Sequence, residues 1–367
     1  MKKKLKNKFI FVSAFLAMLL SPLFVQAQEA VNLFYRGKVV QVLEESEKDT
    51  ADGREVTQKV KVELKYDEKQ KDITVENAFI TPTDDHRKLK LGEKVVIGET
   101  LDPDGNLTYF LSDFYRVPAL IAIGLIFFSI IAIFAGKRGV LSFFGLGFSI
   151  FVLSWYVVPQ IAAGKNPLFV SFVGALFIVC VSLYLAHGFR ARTTVALVST
   201  LVTVFISLIL SVLFVKWSKL FGLGTEEAFF LQTAPIEALS LKGLLLGGII
   251  IGTLGVLDDV TTAQSAAVEE LKKANPSFGL RELYKRGMSI GHEHITALVN
   301  TLVLAYVGAS LPLLLLFSIY KQPLWVTLNS ELVMEEIIRT LVGSTSLIFA
   351  VPITTLFAAY YWHRYHK

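Results

Sequence analysis

Residues 243–274, GLLLGGIIIGTLGVLDDVTTAQSAAVEELKKA, decide the fold class of this chain. The first twelve are almost entirely apolar, which is typical of a membrane-spanning helix. Asp258 and Asp259 follow in the same helical pattern, and good helix formers continue until Asn275 and Pro276 stop the helix. Two carboxylates at the end of an apolar helix either mark the water boundary or belong to an ion or proton site.

The whole chain has the composition of a polytopic membrane protein. Of its 367 residues, 53% are hydrophobic and 18% are charged, and the mean hydropathy is +0.55. Its single cysteine, Cys180, excludes an internal disulfide. Apolar runs of spanning length predict a helical bundle of seven spans, at 117–135, 139–158, 167–186, 194–215, 241–260, 295–319 and 340–361.

The residues before the first span form two further segments. Residues 1–27 combine a lysine-rich start, an apolar core and small residues before Ala27, which predicts a signal peptide, with an uncleaved anchor as the alternative. Residues 28–115 are acidic overall and show five short alternating stretches, which predict a small extracellular all-β domain of the OB or SH3-like barrel kind. An acidic domain outside the cell argues against binding of nucleic acid.

The distribution of basic residues gives an independent prediction of the topology of residues 116–367. With the β domain outside, the loops assigned to the cytoplasm, including a mostly helical loop at 261–294, hold 11 Lys and Arg residues, against 5 in the outside loops. The positive-inside rule therefore agrees with the signal peptide. We expect a multi-pass protein of the plasma membrane, with the N-terminal domain outside and the C-terminus in the cytoplasm.

Polar side chains share one face of the helix that carries the aspartate pair. Asp258, Thr262, Ser265 and Glu269 follow at spacings of three and four residues. Lys242 precedes Asp258 by a helical length of about 24 Å, less than a hydrocarbon core of about 30 Å, so at least partial immersion of Asp258 is expected. A position among the lipid headgroups is the alternative.

A second polar group lies where the sixth predicted span begins. His292 and Glu293 stand at the cytoplasmic entrance, and Asn300 lies well inside the apolar run, where its amide needs a hydrogen-bond partner. His292 and His294 point apart on a helix and lack the spacing of a zinc-binding pair, so we predict no metal site.

Two features bear on how the helices pack. Glycines four residues apart, at 243 and 247 and at 248 and 252, predict the close approach of another helix. Residues 277–288 form an amphipathic segment, in which Leu280, Leu283 and Tyr284 face lipid or protein while basic residues meet anionic headgroups; a solvated connector is the alternative.

The sequence favours a transporter over an enzyme. It has no phosphate-binding loop, no nucleophile elbow and no evident nucleophile and base, so we expect neither catalysis nor a cofactor. We predict a permease for an unknown small substrate or ion, with a polar site, a candidate for proton coupling, between the fifth and sixth spans. The rival hypothesis is an assembly or sensing protein whose extracellular domain binds a partner protein. The predicted site residues are Asp258, Asp259, Thr262, Glu269, His292, Glu293 and Asn300.

Three stretches together resemble the YibE/F-like family of bacterial membrane proteins: LSDFYRVPAL at 111–120, GVLDDVTTAQSAAVEEL at 255–271 and GMSIGHEHITALVNTLVLAYVGASLPLLL at 287–315. The resemblance implies a multi-pass plasma-membrane protein, often described as a predicted permease. At the basic position of the third stretch the family usually has arginine, whereas this chain has His292, which can titrate. Over roughly 70 residues the chain is also similar to the membrane halves of SecD/SecF and resistance-nodulation-division exporters, an analogy of fold alone.

Overall fold

The computed structural model describes residues 33–50, 53–66, 69–81, 88–102, 105–233, 239–320 and 322–365. The predicted signal segment, 1–27, lies outside these residues. The described chain forms two compact units, one up to Ile130 and the other from Ile131 onward.

The first unit contains an antiparallel sheet of five strands, at the places where alternation predicts them. Its spatial order is β3-β2-β1-β4-β5. Alternate residues of the second strand, Val60, Val62 and Leu64 among them, point into a buried core because successive side chains of a strand face opposite sides. The strands are β1 (Leu33–Thr50), β2 (Gly53–Tyr66), β3 (Lys69–Thr81), β4 (Lys94–Leu101) and β5 (Leu107–Phe114).

The sheet curls so that its two outer strands approach each other. Lys71 on β3 donates a hydrogen bond of 2.9 Å to the Tyr109 hydroxyl on β5, and this bond raises the pKa of Lys71. No main-chain pairing joins β3 to β5 among the described strands. The sheet is therefore curved, but it is not closed by backbone hydrogen bonds of the kind that complete a barrel.

The rest of the described chain is helical. A π-helical turn, Leu153–Val157, joins the first two helices. The helices are α1 (Val117–Val152), α2 (Val158–Ala162), α3 (Pro167–His187), α4 (Ala191–Trp217), α5 (Glu226–Gln232), α6 (Leu241–Ala274), α7 (Leu280–Ala309), α8 (Leu311–Ile319), α9 (Leu324–Asn329) and α10 (Glu331–Tyr365).

Length and apolarity identify five helical segments that can cross a membrane, or six if the bent pair α7 and α8 counts as one span. The first two predicted spans lie in one continuous segment, Val117–Ala162, whose helical backbone is interrupted at Gly136 with φ 55° and ψ −143°. Only glycine adopts such a conformation readily. The helices are apolar enough to make this a membrane protein, while seven separate spans remain a prediction.

Among the predicted spans, the sixth, at 295–319, differs most from the helices in the structure. Helix α7 begins at Leu280, includes the amphipathic segment, and ends before Ser310, where the chain bends by 58° into α8. Pro312 occupies the first turn of α8, the place in a helix that tolerates its missing N–H. Leu283 is fully buried in a cluster that includes Leu280 and Tyr284, so the apolar side of the amphipathic segment faces protein.

Helix α6 lies at the centre of the second unit, packed against α3, α4, α7 and α10. The predicted close approach occurs at Gly247, where a Cβ would overlap the Ser171 side chain of α3. Gly248 has nothing within 4 Å of such a Cβ, whereas a Cβ at Gly252 would lie 3.2 Å from the Tyr306 hydroxyl of α7, so only one glycine of the second pair admits a neighbour in this way. This packing fixes which faces of α6 are buried.

Candidate functional site

The aspartate pair of α6 lies against the C-terminal half of α3. Asp258 interacts with the Ser182 hydroxyl, and its Oδ1 atom is buried with no hydrogen-bond partner among the described residues. Asp259 is exposed and lies within electrostatic range of His187, at the end of α3. The two carboxylates therefore differ in environment, because Asp258 is half-buried with one oxygen shielded from solvent and Asp259 is open at the surface of the unit.

Two other predicted residues of α6 lie closer to the C-terminal end of this helix. Thr262 Oγ1 is buried and has no partner in the described part of the chain. Glu269 is paired with Arg192 Nη1 of α4 at 3.5 Å and with Lys273 Nζ at 2.9 Å. Glu269 therefore connects α6 to the start of α4 as part of an ion-pair network, with its charge already compensated.

The predicted residues of α7 are not brought to the aspartates. His292, Glu293 and Asn300 are all exposed, and no described hydrogen bond or ion pair joins any of them to Asp258 or Asp259. The reason lies in the packed face of α7, which runs through Leu283, Gly287 and Gly291 at spacings of four. His292 and Glu293 follow Gly291 by one and two residues, so their side chains point about 100° and 200° around the helix axis from that face.

The structure adds a residue that the sequence analysis missed. Gln264 is fully buried, and its Nε2 donates hydrogen bonds of 2.8 Å both to the Gly287 carbonyl of α7 and to Thr355 Oγ1 of α10. Its Oε1 has no partner among the described atoms. The signal was present in the sequence, since spacings of three and four place Gln264 in one stripe with Leu254, Leu257, Thr261 and Val268.

Further polar side chains are buried between α4, α6 and α10. Thr200 of α4 and Thr261 of α6 share a hydrogen bond of 2.7 Å between their hydroxyl groups. Two such side chains from each helix, every one at most 1% exposed, are what we call the polar core: Thr200, Ser207, Thr261, Gln264, Ser346 and Thr354.

Comparison with known proteins identifies the helical unit. The model of the YibE/F-like protein family matches residues 123–364, about two thirds of the chain. The chain belongs to the YibE/F-like family. In this YibE/F-like protein the match covers α6 and α7 with both candidate polar groups, and it begins after the β sheet. Comparisons with curated proteins and with solved structures gave no match.

Proposed function

We propose that this YibE/F-like protein is a permease whose proton- or ion-handling group is Asp258. The observation that carries the proposal is the buried, unpartnered Oδ1 of this side chain within an apolar helix bundle. A carboxylate with one oxygen buried and unpartnered is costly to keep in such surroundings, so its retention favours a function that a neutral residue cannot supply.

The neighbours of Asp258 support a route for protons or small cations. Asp259 is exposed and lies within electrostatic range of His187, whose imidazole belongs to the side-chain type that most often exchanges protons in proteins. Thr262 continues the polar strip by one turn of α6, toward the ion pair of Glu269. In this proposal Asp259 and His187 connect the half-buried carboxyl group of Asp258 with water.

The polar residues of α7 have a separate place in the proposal. His292, Glu293 and Asn300 form a strip on the exposed face of that helix. We assign this strip to the entry of a small substrate or ion. The other exposed side chains of the membrane-spanning helices are mostly apolar, and in this proposal they contact the lipid of the bilayer.

Seven crossings and an extracellular β domain belong to the same proposal. A straight helix over the 46 residues of Val117–Ala162 would measure about 69 Å, more than twice the hydrocarbon thickness. The interruption at Gly136 precedes Lys137 and Arg138, which favour a turn at the cytoplasmic surface of the bacterial plasma membrane. With this turn the segment crosses twice and the C-terminus reaches the cytoplasm.

The experiment is a measurement of proton flux in proteoliposomes under an imposed pH gradient. Asp258→Asn and Asp259→Asn should reduce the flux to the level of liposomes without protein, because an amide cannot release the proton that a carboxyl group exchanges. Glu270→Gln, which neutralises an exposed carboxylate of the same helix, is the matched control and should keep the flux. Full flux in both aspartate variants would reject the proposal.

One observation favours the rival function, an assembly or sensing protein. The sheet exposes apolar side chains on one face, at the end of β5 that lies away from α1: Leu101 and Leu107 are paired across β4 and β5, and Leu33 lies on the same face. Adjacent exposed apolar side chains often mark a protein-binding surface. Under this function the wild-type protein carries no flux, and Leu107→Asp removes a cross-linked complex that forms in native membranes.

A further inference from the structure

The polar core lies at the contact of three helices that all pack against one another, α4, α6 and α10. Direct hydrogen bonds cross two of the three contacts, from Thr200 to Thr261 and from Gln264 to Thr355. The interior of the bundle is thus polar along a line where a membrane protein could equally have packed apolar side chains.

Several atoms of the polar core lack partners. Ser207 Oγ, Gln264 Oε1, Ser346 Oγ and Thr354 Oγ1 are buried and make no hydrogen bond to any described residue. Buried polar atoms are ordinarily satisfied, by protein or by internal water. Four unsatisfied atoms on three mutually packed helices therefore point to a small hydrogen-bonding ligand.

Helix packing alone accounts for only part of this pattern. Thr200 and Thr355 each donate to a carbonyl one turn back in their own helix, as buried threonines commonly do in membrane helices. Ser207, Ser346 and Thr354 make no such described bond. Their hydroxyl groups remain available both to donate and to accept.

The buried hydroxyl groups form a line whose length is close to the thickness of the hydrocarbon core of a membrane. On α4 it extends from Thr193 to Ser211, which corresponds to about 27 Å along a helix and approaches the thickness of a hydrocarbon core. Between these ends, buried hydroxyls recur at each turn, at Ser199, Thr203 and Ser207. Near the middle of α6, Thr261 donates to the Asp258 carbonyl at 3.3 Å, so the line passes within one turn of the aspartate pair.

We propose that the polar core binds a file of internal water molecules and forms the proton path of the helical unit. The inference rests on the proposed function and deepens it, because it names the proton as the ion that moves. Each hydroxyl group or water accepts a proton from one neighbour and gives one to the next, so no bond to carbon changes and no oxidant or reductant is needed. Gln264 sets the position of the path where α6, α7 and α10 meet, because its amide group hydrogen-bonds to both α7 and α10.

The test uses the full-length protein with Ser207→Ala, Ser346→Ala and Thr354→Val combined. These changes remove three hydroxyl groups that hold no described protein hydrogen bond, so the fold should persist. Thr301→Val, on the exposed face of α7, is the control. Proton flux in proteoliposomes and thermal stability are measured on the same samples, alongside Asp258→Asn. If the triple variant does not fold, Thr354→Val alone takes its place, because valine has nearly the same shape as threonine.

Loss of flux in the triple variant with a retained fold, and normal flux in Thr301→Val, is the expected result. Normal flux in the triple variant together with a raised melting temperature would overturn the proton path, since removing a dry, unpartnered hydroxyl should stabilise the protein. If the triple variant loses flux and Asp258→Asn keeps it, the path stands and the role of Asp258 fails. If only Asp258→Asn loses flux, the path fails and the role of Asp258 stands. Absence of flux in the wild type would overturn both.

Discussion

Thr200 and Thr261 join α4 to α6 through two hydroxyl groups 2.7 Å apart, in a position with no measurable exposure. Hydrogen bonds between membrane helices typically contribute about 0.6 kcal/mol and at most about 1.7 kcal/mol. We expect the double-mutant cycle of Thr200→Val and Thr261→Val to give a coupling free energy in that range. Unfolding in denaturant measures it, and additive effects of the two substitutions would show that the bond contributes nothing.

Single residues could be predicted from the sequence only in part. The aspartate pair stands out because carboxylates are rare at the end of an apolar run. Gln264 is less evident, because it shares the stripe of Leu257 and Thr261 but follows two aspartates and two threonines and so has the appearance of a solvated residue. Its hydrogen bond to the Gly287 carbonyl depends on α7 returning along α6, a tertiary contact that the sequence of α6 alone cannot specify.

At the scale of the helix, Gly291 sets how closely α7 packs against α10. A Cβ at this position would overlap Val351 Cγ1, so Gly291→Ala should lower the free energy of unfolding by about 1–3 kcal/mol. Gly255→Ala is the matched control, because nothing lies within 4 Å of its Cβ, and it should leave stability unchanged or raise it by up to about 1 kcal/mol. Equal melting temperatures for the two variants would contradict the close packing of α7.

Helix type was easier to predict than helix ends. The stop of α6 before Asn275 and Pro276 follows from local chemistry and is confirmed. The continuity of α7 was not predicted, because its polar first half and apolar second half have different periodicity and appear as two elements. In the structure both halves lie on one helix. The first half packs through Leu283, and the second half packs through Ile295 and Leu298.

At the scale of the whole molecule, the account predicts which parts lie on which side of the membrane. In a Cys180→Ala background, a membrane-impermeant maleimide should label Glu44→Cys on intact cells, because the proposed topology has the β domain outside. It should label Tyr365→Cys and Lys137→Cys only after lysis. The native side chains of Lys137 and Tyr365 are both exposed in the structure, so the reagent can reach these positions.

Each alternative topology gives a different labelling pattern. An even number of crossings places Glu44→Cys and Tyr365→Cys on the same side. A single crossing by Val117–Ala162 leaves Lys137→Cys within the bilayer, where the reagent reaches it from neither side. Either pattern would contradict seven crossings.

The division into a β sheet and a helical unit was visible in the sequence, because the composition changes sharply near Val117. A curved sheet was expected from the barrel prediction, but the contact between Lys71 of β3 and Tyr109 of β5 was not visible, since these strands are distant in sequence. The grouping of the candidate site was not visible either. Sequence order favoured α6 with α7, whereas packing placed Asp258 against α3.

The central claim is that the half-buried carboxyl group of Asp258 serves transport rather than helix packing. The most direct test measures proton flux and melting temperature on the same preparation of Asp258→Asn and wild type. Because Oδ1 has no partner, a neutral amide should cost no more to bury, so the account predicts lost flux at an unchanged or higher melting temperature. Retained flux with a lowered melting temperature would contradict it and would make Asp258 a packing residue.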